Sequence, residues 1–243
     1  GTIGGSDTVN IAGPSLWQNG FFDGTNTINL SGVTRLQAAI NPYYHYLRGR
    51  TIRNLGTVIN SYGHYYGGGG TLIDNAPGAT WIEDTPHNAI FYNLYAGPAT
   101  FVNRGVFIKT NLYYTQLNFA FFNQGEVRVS QGELYFANGG VQEGAATIAG
   151  GARLVFNGGA STNRIGATYS GDGELYVSAG TVAFETNVVH TRFTQAGGDV
   201  FFSASVALSA SGNFSGGNTY FTSNATVVSL GATNRIDGGT LVF

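Results

Sequence analysis

Short glycine-led strands that return at a nearly regular interval constrain the fold of this chain more than any other feature. The unit is a glycine, one further residue and then alternating apolar residues, as in residues 132–136. Its leading glycines stand at positions 132, 151, 173, 198, 217 and 239, with a further copy at Gly180. A spacing of about 20 residues is typical of a solenoid, in which each coil buries its inner face by stacking on its neighbours.

Helical periodicity is almost absent, because glycine, with 38 copies in 243 residues, interrupts nearly every stretch within two turns. Only residues 33–40 keep a helical spacing. The sequence therefore predicts an all-β fold, a parallel β-helix (β-solenoid) with coils of about 20 residues and two or three strands in each coil. We expect residues 50–243 to form the regular solenoid and residues 1–49 to form a less regular cap or first coils, continuous with it.

Alternation along each strand assigns the two faces of the coils. The residues expected to point inward and stack as a core ladder are Leu134, Phe136, Leu154, Phe156, Leu175, Val177, Val200, Phe202, Phe221, Leu241 and Phe243. The residues expected to face outward as one apolar stripe are Tyr135, Val155, Tyr176, Phe201, Tyr220 and Val242. Soluble monomers rarely expose such a stripe, so it predicts association with another chain. The alternative is that these residue types merely suit a β-surface.

Three runs, residues 50–58, 100–107 and 122–134, carry "N-x-G-T-hydrophobic" and "G-x-L-x-hydrophobic" patterns. They resemble the coils of secreted bacterial surface proteins with adhesin-like or autotransporter-passenger-like repeats. The resemblance covers roughly residues 50–243 and implies a right-handed parallel β-helix. It implies no catalytic motif, because such repeats serve as stalks, adhesins and surface fibres.

Composition excludes several other classes. The chain has no cysteine, so disulfides, thiolate zinc sites and cysteine nucleophiles are ruled out. Its net charge of −2 comes from scattered residues, which argues against nucleic acid as a partner. No apolar run is long enough to span a bilayer, so no membrane insertion is expected. Together with the missing initiator Met and the single lysine, this composition favours a secreted, extracellular or cell-surface chain without a cofactor.

An enzyme on this fold would need carboxylates clustered on one outer face. Glu133 and Glu174 share a repeat position but lie two coils apart, with Asp172 beside the second. Glu83 and Asp84 have no basic residue nearby in the sequence. We interpret these acids as structural or surface charges and predict that the chain is not an enzyme.

A tyrosine-rich segment offers a second kind of site. Its rings could form a polysaccharide-binding platform composed of Tyr43, Tyr44, Tyr46, Tyr62, Tyr65 and Tyr66. His45 and His64, 19 residues apart, could instead stack and hold a metal with His87 or Asp74. Simple aromatic packing is the third interpretation, and the one we favour. The glycines at 67–70 are expected to form a turn, because no Lys-Ser/Thr follows them as in a phosphate loop.

The two ends of the chain suggest a mode of assembly. Phe243 stands in the middle of a repeat strand, and an open coil exposes unpaired backbone groups. The residues expected to join the ends of successive subunits are Gly1, Thr2, Ile3, Leu241 and Phe243. The leading expectation is thus a structural subunit that self-associates, end to end or side by side, into surface fibres or an adhesive stalk. The alternative is a polysaccharide-binding module; a lyase or hydrolase is less favoured.

Overall fold

The computed structural model describes residues 1–38, 44–185, 188–203, 206–208, 211–222, 227–229 and 233–242. These residues form a parallel β-solenoid of about ten turns, with about 21 residues per turn and no helix. The predicted fold class is confirmed. Among these described residues there is no helix that could span a membrane.

The strands are short and follow one another closely. Those of the first turns are β1 (Thr2–Ile3), β2 (Val9–Ile11), β3 (Ser15–Trp17), β4 (Gly20–Asp23), β5 (Thr27–Leu30), β6 (Val33–Gln37), β7 (Tyr44–Arg48), β8 (Thr51–Asn54), β9 (Thr57–Tyr62) and β10 (His64–Gly67). Those of the middle turns are β11 (Leu72–Asn75), β12 (Thr80–Glu83), β13 (Ala89–Asn93), β14 (Thr100–Asn103), β15 (Val106–Lys109), β16 (Tyr114–Leu117), β17 (Ala120–Asn123), β18 (Glu126–Val129), β19 (Glu133–Phe136), β20 (Gly140–Gln142) and β21 (Ala145–Ile148). Those of the last turns are β22 (Arg153–Asn163), β23 (Thr168–Phe184), β24 (Val188–Gln195), β25 (Asp199–Phe202), β26 (Val206–Leu208), β27 (Ser211–Phe214), β28 (Asn218–Phe221), β29 (Val227–Ser229), β30 (Thr233–Ile236) and β31 (Thr240–Val242).

From β1 to β19, each strand pairs in parallel with the strand three places later, so the strands stack in three ladders. The first ladder begins β1, β4, β7, β10, β13, β16, β19; the second begins β2, β5, β8, β11, β14, β17, β20; the third begins β3, β6, β9, β12, β15, β18, β21. Strands β22, β23 and β24 run through corners and contribute to more than one ladder. The strands of residues 1–49 lie in the same three ladders as the later strands.

The inward side chains form one continuous apolar core. Eight residues of the predicted core ladder are at most 1% exposed: Leu134, Phe136, Leu154, Phe156, Leu175, Val177, Val200 and Phe202. Phe221 and Leu241 are partly buried and pack against this core, and Phe243 lies outside the described residues. The prediction of a single ladder is wrong. Leu134, Phe136, Leu154, Phe156, Leu175 and Val177 stack in the first ladder, whereas Val200, Phe202, Phe221 and Leu241 stack in the second.

A row of buried asparagines runs through the second ladder. The side-chain amide of Asn54 donates to Asn75 at 2.8 Å, Asn75 donates to Asn103 at 2.7 Å, and Asn103 donates to Asn123 at 2.8 Å. Each of the first three amides also donates to a backbone carbonyl of the third ladder, as Asn103 does to Glu126 at 2.9 Å. Because buried amides need partners on both sides, this row fixes the corner between two ladders turn after turn.

The glycines at 67–70 end β10 and turn the chain toward β11, as the sequence predicts. Gly68, Gly69 and Gly70 all have positive φ, a conformation that favours glycine. The hydroxyl of Thr71 closes the turn by donating to the carbonyl oxygen of Gly68 at 2.7 Å.

Candidate functional site

The predicted outward stripe is not a single row. Its first half, Tyr135, Val155 and Tyr176, is in register in the first ladder. Its second half, Phe201, Tyr220 and Val242, is in register in the second ladder. The prediction of one continuous stripe is therefore wrong.

Strand β23 explains the error. It contains two glycine-led units, at Gly173 and Gly180, and these belong to different ladders. Following the repeat along the sequence therefore crosses from one ladder to the next.

Val155 departs from the prediction in a second way, because it is only 2% exposed. It stands between Tyr135 and Tyr176 in its row, and these larger side chains flank it on both sides.

An extended aromatic surface lies on the outside of the first ladder, in its earlier turns. We define the outer aromatic face by the residues Phe21, Tyr44, Tyr46, His64, Tyr66 and Tyr92. The Phe21 and Tyr46 rings stack with centroids 4.4 Å apart, and Tyr44 stacks on Tyr66 at 4.0 Å. Tyr66 meets Tyr92 edge to face at 5.0 Å. The in-register residues Tyr46, Tyr66 and Tyr92 thus carry one aromatic row across three turns.

The outer aromatic face contains part of the predicted tyrosine platform. Tyr44, Tyr46 and Tyr66 are half-buried on this face, and Tyr62 is half-buried beside it. The prediction that Tyr65 belongs to the surface platform is wrong, because its side chain points into the core and is fully buried. Alternation along β10 forces this, since its neighbours His64 and Tyr66 point outward. Tyr43 lies outside the described residues.

The predicted stacking of His45 on His64 is also wrong. His45 is in register with Tyr65, 20 residues later, so it points inward while His64 points outward. His45 is fully buried and packs against Trp17 with ring centroids 4.7 Å apart. Asp74 lies in the second ladder beside Arg53 and Arg104. Within the described ranges, no group of three potential ligands could hold a metal ion.

A groove of about 340 Å³ adjoins the outer aromatic face at a corner of the coil. Its lining residues are Tyr62, His64, His87, Asn88, Ile90 and Tyr114. Sequence reasoning missed Asn88, Ile90, Tyr92 and Tyr114. The alternation in residues 89–93 could have indicated this strand. Its place beside His64 could not be predicted, because Ile90 follows His64 by 26 residues, well beyond the spacing of the repeat.

The imidazoles of the groove are oriented by the backbone. Nδ1 of His64 accepts a hydrogen bond from the Ile90 amide at 3.1 Å, so its Nε2 carries the proton in the neutral ring. Nδ1 of His87 lies 2.7 Å from the Asn88 carbonyl oxygen and therefore donates to it. Burial, with a smaller effect of His87, lowers the pKa of His64 below its usual value. The groove thus presents aromatic walls and two imidazoles whose orientation is fixed by hydrogen bonds to the backbone.

The outer carboxylates are paired with a cation. Arg153 stands in register between Glu133 and Glu174, and its guanidinium lies 2.7 Å from Glu174 and 3.4 Å from Glu133. The same guanidinium lies 5.2 Å from the ring centroid of Tyr176. An acid–base pair for hydrolysis needs two carboxylates that face one bound ligand. Here an arginine occupies the space between them.

Glu83 is fully buried in the third ladder. Its carboxylate accepts hydrogen bonds from Trp81 at 2.7 Å, Asn60 at 2.8 Å and Tyr65 at 3.1 Å. Burial raises its pKa to about 7. The sequence shows no basic residue near Glu83, but Lys109 is its in-register neighbour one turn later.

The expected end contacts lie at opposite ends of the solenoid. Thr2 and Ile3 are exposed and pair with Phe21 and Phe22. Leu241 pairs with Thr219 and is partly buried.

No family model, no curated protein and no solved structure matches this chain.

Proposed function

We propose that this chain is a non-enzymatic structural protein, a β-solenoid rod of an extracellular fibre or adhesive stalk. The observation that supports this best is the outer aromatic face, which runs along the rod axis over successive turns. Rows of half-buried rings offer a continuous apolar contact surface, and such surfaces are typical of association sites. Copies of the rod would associate side by side through this face, and end-to-end stacking would be the second mode of assembly.

The resemblance of the repeats to secreted bacterial surface proteins supports an extracellular location. The absence of cysteine and the predominance of backbone-paired strands fit a rod whose rigidity comes from its ladders. The buried asparagine row adds to that rigidity, because it joins adjacent turns through side-chain hydrogen bonds.

Sedimentation velocity over a concentration series, followed by electron microscopy, tests the proposal. We expect the wild-type chain to form larger species as concentration rises and the double variant Tyr66→Ala/Tyr92→Ala to lose side-by-side association, so that only end-to-end species remain. The matched control is Tyr220→Ala, which removes a ring stacked on Phe201 at 4.5 Å in the second ladder. A wild-type chain that stays as single short rods at every concentration would overturn the proposal.

A polysaccharide-binding module is the second candidate, favoured by the groove beside the outer aromatic face. Flat rings suit the apolar faces of sugars, and Nε2 of His64, which carries a proton because Nδ1 accepts from the Ile90 amide, can donate a hydrogen bond to a hydroxyl group. The spacing of about 4.8 Å between turns is close to the length of one sugar in an extended chain.

Affinity electrophoresis in gels that contain neutral polysaccharides tests this second candidate. Retardation that is lost in Tyr62→Ala and Tyr114→Ala but kept in Tyr220→Ala would support binding in the groove. Unchanged mobility of the wild-type chain in every polysaccharide would overturn it. Sedimentation of the same variants shows whether side-by-side association is affected separately.

A further inference from the structure

The chain contains one lysine, Lys109, and the fold buries it. Lys109 ends β15, points into the core of the third ladder and is 0% exposed. Lysine is almost never fully buried, because its amine is strongly hydrated. A completely buried lysine therefore calls for a specific chemical environment.

That environment is an asparagine two residues later. Nζ of Lys109 lies 3.0 Å from Oδ1 of Asn111, and it also contacts the backbone carbonyl oxygens of Asn111 at 2.5 Å and Gln131 at 3.1 Å. Nδ2 of Asn111 donates to the backbone carbonyl of Glu83 at 3.3 Å. The side-chain amide is thus held with its oxygen toward the amine and its nitrogen toward the neighbouring turn.

We propose that Lys109 and Asn111 form an intramolecular isopeptide bond. Nζ of Lys109 attacks Cγ of Asn111, the Nζ–Cγ bond forms, and the Cγ–Nδ2 bond breaks. One proton passes from Nζ to Nδ2, which leaves as ammonia. The reaction exchanges one amide for another and needs no oxidant, reductant or cofactor.

The surroundings supply what this reaction requires. Burial lowers the pKa of Lys109 to about 8, so about a tenth of the amine is neutral and nucleophilic at pH 7. The charge of Glu83, the in-register neighbour of Lys109, opposes this lowering of the pKa, but burial is the larger effect. The strand end holds amine and amide together before reaction, which removes most of the entropic cost. Asn111 is only half-buried, so ammonia can escape.

Mass spectrometry of the intact, denatured chain tests the proposal after incubation of the folded protein at pH 8. We expect a mass about 17 Da below that of the sequence, the loss of one ammonia. A lysine-specific protease gives a second readout, because Lys109 is its single cleavage site. The denatured wild-type chain should stay in one piece, since an acylated lysine is not cleaved.

Two variants serve as controls. Lys109→Arg and Asn111→Ala should both keep the full sequence mass, and Asn111→Ala should be cleaved after residue 109. Asn118→Ala, which changes an asparagine outside the contact, should behave like the wild-type chain. A succinimide at an Asn-Gly step such as Asn138–Gly139 loses the same mass, but it would persist in both variants and leave Lys109 cleavable.

The outcomes that would overturn the proposal are equally clear. Full mass with complete cleavage after Lys109 would mean that the lysine only caps backbone carbonyls. A loss of about 18 Da, that of water, would place the bond on a carboxyl group such as Glu83 and overturn the assignment to Asn111. Fragment spectra of the cross-linked peptide identify the bonded residues directly, so the test holds even where a variant fails to fold.

Discussion

Glu83 and Lys109 are direct in-register neighbours in the third ladder, and both side chains point into the core. The inward positions of the turns after Lys109 in the same row are Val129 and Ile148. Asn60 precedes Glu83 in this row and Leu36 precedes Asn60, so three successive polar residues, Asn60, Glu83 and Lys109, interrupt an otherwise apolar row. Glu83 and Lys109 are both desolvated, and this shifts the pKa of each group toward its neutral form.

Glu83 should make the free energy of unfolding fall as pH rises from about 4.5 to about 7. The pKa of Glu83 is about 7 in the folded chain and close to its usual 4.5 in the unfolded chain. Between these values the folded state binds more protons, so raising the pH costs stability, by about 1.4 kcal/mol per unit of pKa difference. Urea denaturation of wild type and Glu83→Gln at several pH values measures this. The difference between the two curves should change across that range, and parallel curves would contradict the assignment.

His45 should make the free energy of unfolding depend on pH in the opposite direction. Burial lowers its pKa to about 4 from 6.5, so the unfolded state binds more protons between these values. The free energy of unfolding should therefore drop as pH falls from about 6.5 to about 4, by at most about 3 kcal/mol. His45→Phe keeps the packing against Trp17 but loses the contact of Nε2 with the Tyr62 carbonyl oxygen, 3.2 Å away. At neutral pH this variant should be about 1 kcal/mol less stable than wild type. Its free energy of unfolding should also lack the decrease that His45 causes at acid pH. An acid slope identical to that of wild type would refute the prediction.

Asn103 is the central test of the asparagine row. Asn103→Ala removes its bonds to Asn75, Asn123 and the Glu126 carbonyl and leaves buried polar groups unpaired. We expect a loss of about 3 kcal/mol in the free energy of unfolding. Asn118→Ala, at a half-buried position outside the row, should cost less than about 1 kcal/mol. Equal costs for the two variants, measured by thermal and urea unfolding, would show that the row does not stabilise the corner.

Gly105 should not tolerate a side chain. A Cβ atom at this position would lie 2.2 Å from the carbonyl oxygen of Ala79 and 2.6 Å from that of Ala76. Because both obstacles are backbone, Gly105→Ala should cost roughly 3 kcal/mol. Gly13→Ala is the matched control, since a Cβ there meets nothing within 4 Å. Calorimetric midpoints of the two variants that differ by less than 1 °C would contradict this prediction.

The solenoid could be predicted because the local sequence of each glycine-led unit indicates that it forms a strand and which of its side chains point inward. The assignment of units to ladders could not, since a unit at Gly173 and one at Gly180 look alike in sequence but lie on different sides of the coil. The helical spacing that begins at Val33 was similarly overridden in the described part of residues 33–40, because Val33–Gln37 pairs on both sides as β6. Tertiary pairing decides such short segments.

The asparagine row and the Glu83–Lys109 pair were missed for a different reason. Their members contact one another across turns of unequal length, with separations of 21, 28 and 20 residues in the asparagine row. A fixed period cannot align such positions. Likewise, the groove depends on side chains from three turns that a uniform repeat of about 20 residues places out of register.

The unequal turn lengths allow the surface to vary while the ladders stay in register. The ladders fix how neighbouring strands pair, so additional residues are placed at the corners, as in residues 84–88 between β12 and β13. Those residues contribute His87 and Asn88 to the groove. Corners can therefore lengthen, shorten or exchange loops independently of the core, which makes this rod a scaffold whose surface can diversify one turn at a time.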